Sequence, residues 1–209
     1  MILDRRALIG TGLAASGLAF AAAPSAALAA PLPAVEGDMA LGSPKAKVQL
    51  VEYASLSCSH CAHFNNDVFP AIKAKYVDTG KVRYVFREFP LNIKDLACAM
   101  LSRRIAGEDS TKYFAVVDIM FRQQAAIFDS EDLWGGLLKI GKGFGLTDEQ
   151  FTTALHDQKA LDVINARIKT AGERDKIEFT PTFFVNGTRL EGGQSVETMS
   201  AALDKAAKG

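Results

Sequence analysis

The chain has 209 residues, 48% of them hydrophobic and 23% charged, a globular composition that excludes a disordered or wholly membrane-embedded protein. Twenty-four basic residues balance twenty-four acidic ones, so there is no broad positive field for nucleic acid. The length accommodates one domain, or one domain carrying a large insertion.

Residues 1–29 read as a cleaved export signal. Arg5 and Arg6 form a positive n-region, Ala7 to Ala23 is an uncharged run rich in Ala, Leu and Gly, and Ala27-Leu28-Ala29 has the form of a cleavage site. Pro24 and Pro31 bracket a weakly hydrophobic stretch, which argues against a membrane anchor. The run Arg5-Arg6-Ala7-Leu8-Ile9 fits a twin-arginine signal and equally well an ordinary secretory one. No cysteine lies near the cleavage site, against a lipid anchor.

Residues 30–43, rich in Pro, Gly and Ala, read as a loose N-terminal extension. Lys47 to Ala54 is a short apolar run that fits a buried central strand. Ser55-Leu56-Ser57 then turns into a helix with Cys58 at its start and Phe64, Val68, Ile72 and Tyr76 along one stripe. Pro70 predicts a kink or a break in it. Lys81 to Glu88 reads as a second strand, alternating Val82, Tyr84 and Phe86 against Arg83 and Arg87.

From Lys94 to about Lys176 the pattern is helical, with breaks near residues 107–110, 128–130 and 141–147. Thr147-Asp148-Glu149-Gln150 has the form of a capping box, and a later helix carries Leu161, Ile164 and Ile168. Phe179-Thr180-Pro181 leads into a strand at Thr182-Phe183-Phe184-Val185, an Asn186-Gly187 hairpin turn and a strand at Thr188-Arg189-Leu190. A last helix bears Val196, Met199 and Leu203. This order is α/β, a βαβ…ββα sheet built from residues 44–92 and 177–209, with an all-helical domain inserted at 93–176.

The chemistry points to Cys58-Ser59-His60-Cys61. Export with a close cysteine pair implies an oxidising compartment. A disulfide closing so small a loop gains little chain entropy, so the pair is redox-active or metal-binding rather than a staple. A thiol attacks as thiolate, and the free N–H groups and macrodipole at a helix start favour an anion at Cys58. His60 adds a donor or a positive charge, and Cys61, one turn further in, is the natural resolving thiol. Cys58, His60, Cys61 and His63 together leave copper or zinc capture open, although ligands at successive helical positions diverge around the axis. Thr180-Pro181 before a strand is a candidate cis peptide bond.

The run Glu52 to Cys61, the helical block and Thr180 to Gly187 together resemble the DsbA family of periplasmic thiol oxidoreductases, from about Leu41 to the C-terminus. The resemblance implies a thioredoxin-like fold with a helical insertion and no cofactor. It makes Cys58 the attacking and Cys61 the resolving cysteine of a redox disulfide, and Pro181 a cis-proline opposite it, with Thr180 beside it meeting substrate. Glu52 becomes the buried acid that relays the proton of Cys61. It further implies that reduced exported polypeptides are the substrates and that a quinone-linked membrane protein of the DsbB type is the reoxidant. A disulfide isomerase or reductase of the same fold is the alternative. Ser59 and Thr180 stand where the family's best-known oxidase has proline and valine, which bears on redox potential. About a dozen residues separate the cleavage site from Leu41, leaving no room for the dimerisation module of DsbC and DsbG, so a monomer is expected. Cys98 shares a stripe with Leu101 and Ile105 and reads as a core thiol, Trp134 as core and His156 as surface.

Overall fold

A computed structural model describes residues 30–190 and 195–208; the export signal expected at residues 1–29 lies outside the described residues. The elements follow in the order β1 (Met39–Leu41), β2 (Val48–Ala54), α1 (Ser59–His63), α2 (Phe69–Ile72), β3 (Val82–Glu88), α3 (Ile93–Ala106), α4 (Ser110–Arg122), α5 (Gln124–Phe128), α6 (Leu133–Gly143), α7 (Asp148–Leu155), α8 (Gln158–Arg174), β4 (Thr182–Val185), β5 (Thr188–Leu190) and α9 (Val196–Lys208). The five strands form one sheet in the order β1-β3-β2-β4-β5, with β2 and β3 parallel and the other pairs antiparallel. This is a thioredoxin-like fold with helices α3 to α8 inserted between β3 and β4.

Both faces of the sheet are covered, and the pleat sorts residues between them. Val48, Leu50 and Ala54 of β2 join Val82, Tyr84 and Phe86 of β3 and Phe183 and Val185 of β4 in the larger core. Val51, Tyr53, Val85 and Phe184 face the other way, onto Ala171 and Ile177. Glu52 falls between Leu50 and Ala54, so its carboxylate enters the larger core, where Cys61 also lies.

A π turn at Phe64–Val68 joins α1 to α2, and a second at Lys73–Val77 follows α2. Residues four apart drift by about 40° per step on an α-helix, and the wider π turns take up that drift. Phe64, Val68, Ile72 and Tyr76 are accordingly all buried. Pro70 does not break the helix. It occupies the first turn of α2, just after the π turn, where a missing N–H costs no regular bond.

Three expectations are corrected. The extension at residues 30–43 is not wholly loose, since β1 pairs Met39 with Phe86 and Leu41 with Tyr84. Gly42 ends that strand at φ +85°, where a Cβ would meet the Val82 carbonyl at 2.4 Å. Arg87 is buried, with its guanidinium on Asp38 at 2.8 Å and on the Tyr53 hydroxyl at 2.7 Å. Trp134 is 46% exposed, stacking edge-on against Phe151 from outside the core. Cys98 is fully buried, and burial pushes its thiol up to about 12. The capping box at Thr147 and Gln150 is present in both directions.

Candidate active site

Cys58 is the N-cap of α1, with extended backbone (φ −84°, ψ 120°) and a half-buried side chain. Its thiol is held down to about 5. The Cys61 thiol favours its anion most, and the backbone N–H groups of Cys61 and His60 help, outweighing partial burial. The Thr180 carbonyl oxygen lies 3.3 Å from Cys58 Sγ, and the buried Thr180 hydroxyl has no hydrogen-bond partner among the described residues. With the thiol protonated, that carbonyl accepts from it. The Thr180–Pro181 peptide bond is cis.

Cys61 is fully buried, and burial, Cys58 and Glu52 together push its thiol far up. Both thiols are free in this structure. One cysteine is thus reachable and anionic, the other hidden and protonated.

Glu52 is 2% exposed and sits in register with Phe183 on one neighbouring strand and Phe86 on the other. Burial raises its carboxyl to about 8, against the lowering effect of the Tyr84 hydroxyl, which donates to Oε2. Oε1 has no hydrogen-bond partner among the described residues. Glu52 is therefore a neutral acid near pH 7, with one oxygen fixed by Tyr84 and the other unengaged. Its charge, when present, is felt at Cys61.

Glu52, Cys58, Cys61, Thr180 and Pro181 thus converge on one place. His60 contributes its backbone N–H, while its side chain is exposed and makes no hydrogen bond among the described residues. His63 is also exposed and pairs with Asp67 at 2.7 Å. Among the described residues no three His, Cys, Asp or Glu side chains gather as a metal ion requires.

Two residues at the site carry no motif. Gln124 Nε2, on the first turn of α5, donates to the carbonyls of Leu56 at 2.7 Å and Cys58 at 3.0 Å. Asp95, on the first turn of α3, is 1% exposed and accepts from the Leu56 N–H at 2.9 Å and from Ser55 Oγ at 2.5 Å. These contacts to Ser55, Leu56 and Cys58 span 39 or more residues of sequence, so local pattern gave no signal.

Residues 34–205 match the thioredoxin family. A Rickettsia bellii protein named provisionally as a protein-disulfide oxidoreductase is 37% identical over 171 residues, which is 82% of this chain and 65% of that protein. The chain thus spans under two thirds of the length of the first curated relatives it matches. The crystal structure of Wolbachia pipientis alpha-DsbA1 superposes with a TM-score of 0.78 at 33% identity, covering 85% of this chain and 94% of that one. Oxidised BdbD from Bacillus subtilis shares the fold, with a TM-score of 0.75 at 23% identity over 87% of this chain and 99% of its own.

Proposed function

The chain belongs to the thioredoxin family, in its DsbA-type branch, and on that premise we propose that it oxidises thiol pairs of exported polypeptides through a Cys58–Cys61 disulfide. The observation that carries this is the asymmetry of the pair, a reachable Cys58 held as thiolate above a buried, protonated Cys61.

A substrate thiolate attacks Cys58 Sγ of the disulfide, the sulfur that solvent reaches. The Cys58–Cys61 bond breaks, and Cys61 leaves with the bonding pair and takes a proton from neutral Glu52. A second substrate thiolate then attacks the substrate sulfur of the mixed disulfide, releasing Cys58 as its stabilised thiolate. The substrate has lost two electrons and the cysteine pair has gained them. Low basicity makes Cys58 a good leaving group, which favours the oxidase direction over the isomerase or reductase one. Thr180 and Pro181 form the wall against which an extended substrate segment lies, with backbone groups as its anchor. The reading includes export by residues 1–29, action in the periplasm as a monomer, and reoxidation by a quinone-linked membrane protein of the DsbB type.

The test is trapping. Cys61→Ser should accumulate mixed disulfides with reduced, unfolded polypeptides through Cys58, and Cys58→Ser should trap none. Equal trapping by the two variants would overturn the assignment.

A further inference from the structure

The turn that delivers Cys58 is held from the helical insertion. Asp95 Oδ1 accepts the Leu56 N–H at 2.9 Å. Its Oδ2 accepts Ser55 Oγ at 2.5 Å, the Leu91 N–H at 3.0 Å and Ser57 Oγ at 3.3 Å. Asn92 closes the cluster, donating from Nδ2 to Ser57 Oγ at 3.0 Å and accepting the Asp95 N–H at 2.9 Å. Among the described residues no cation pairs with Asp95, so hydrogen bonds alone compensate its burial. A buried carboxylate so placed is expensive for a fold unless it is fully bonded. Burial accordingly raises its carboxyl, and the hydrogen bonds oppose that rise. Three of its four donors belong to the three residues before Cys58. The fourth belongs to Leu91, whose side chain is exposed, in the loop that leads into α3.

We propose that Asp95 is a positioning residue for thiol exchange, fixing the Ser55–Ser57 turn so that the N–H groups of His60 and Cys61 stay aimed at Cys58 Sγ. This rests on Cys58 being the attacking thiol. The amide contribution depends on direction, and the turn sets that direction, since the Cys58 N–H bonds back to the Ser55 carbonyl at 3.2 Å. The titratable groups facing Cys58 are Cys61 from α1 and Glu52 from β2, with Thr180 opposite and His60 contributing only its backbone N–H. Asp95 lies behind the turn, and among the cysteines its charge is felt at Cys98.

Charge and positioning have opposite signs at Cys58. Removing a negative charge favours the thiolate, whereas loosening the turn disfavours it. Asp95→Asn separates them, because the amide keeps an acceptor for Leu56 but sets an NH2 against the Leu91 N–H. Titration of thiolate absorbance near 240 nm in the reduced full chain should show the Cys58 midpoint rising by about one pH unit, a tenfold weaker acid. The midpoint of the pH–rate profile for exchange with a small disulfide should move with it. An unchanged or lowered midpoint, even in a less stable variant, would overturn the proposal. If Asp95→Asn does not fold, Ser55→Ala removes the shortest bond from the other side and should move the midpoint the same way; no movement there overturns the proposal too. A wild-type midpoint near 9 would overturn the reading of Cys58 itself, and this inference with it.

Discussion

Glu52→Gln tests the buried acid by its effect on stability. In the fold the carboxyl protonates at about 8, against 4.5 when unconstrained, chiefly because burial penalises the anion. Below pH 4.5 both folded and unfolded chains hold the proton, and the group costs nothing. As pH rises from there, only the unfolded chain releases it, so stability falls by ~1.36 kcal/mol per pH unit and levels off above about pH 8. At pH 7 the accumulated cost is about 3 kcal/mol. Glutamine keeps the volume and an acceptor for the Tyr84 hydroxyl but cannot ionise, so the variant escapes this cost. With a urea dependence of ~2 kcal/mol per M, its unfolding midpoint at pH 7 should lie about 1.5 M above the wild type. The two should converge near pH 4.5. Urea unfolding of both reduced proteins from pH 4.5 to 8.5 measures this. A difference that does not change with pH would refute a neutral Glu52. The same variant should exchange thiols more slowly, because Cys61 loses its proton partner.

Other outcomes follow from the site and its supports. Between pH 5.5 and 7.5 the potential of the Cys58–Cys61 couple should fall by ~30 mV per pH unit, since reduction takes up one proton while Cys58 stays thiolate; a slope of ~59 mV would mean that both thiols are protonated. Glu88→Gln should cost ~3–5 kcal/mol in denaturant unfolding, because Arg103, Arg167 and Tyr113 all converge on that buried carboxylate and Arg103 would lose its counter-charge. Burial works to raise the Glu88 carboxyl, but Arg103 outweighs it and holds it below 4.5, so the stability it adds is lost as pH falls through that lowered value. A cost below 1 kcal/mol would show that the pairing adds nothing. Gln124→Ala leaves the Leu56 and Cys58 carbonyls short of a donor, an expected ~1–2 kcal/mol loss with slower exchange in a stopped-flow assay. Unchanged exchange would leave Gln124 a packing residue.

What the sequence disclosed was what is local. Strands β2, β3 and β4, the Asn186-Gly187 turn, the Thr147 capping box and the four-residue stripe after Cys58 each express their cause within a few residues. The CxxC pair stood out for the same reason, whereas Glu52 was singled out only through the resemblance to the DsbA family. Strand β1 escaped because three residues hold no periodicity, and it forms only by pairing with β3. Arg87 looked like the polar side of an alternating strand, yet Asp38 from the N-terminal extension and Asp175 after α8 reach it from far along the chain. Asp95 and Gln124 stand at helix starts, where such residues ordinarily serve as caps or solvent contacts. Their roles appear only once the insertion is folded against the turn before Cys58.

The central claim is that Cys58 alone of the three cysteines is a reachable thiolate. Alkylation of the reduced native protein with iodoacetamide, resolved by residue with mass spectrometry from pH 4 to 9, reads this directly. Cys58 should react with a midpoint near pH 5, with Cys61 and Cys98 unmodified throughout. A midpoint near 9, or Cys61 reacting as fast as Cys58, would contradict the account.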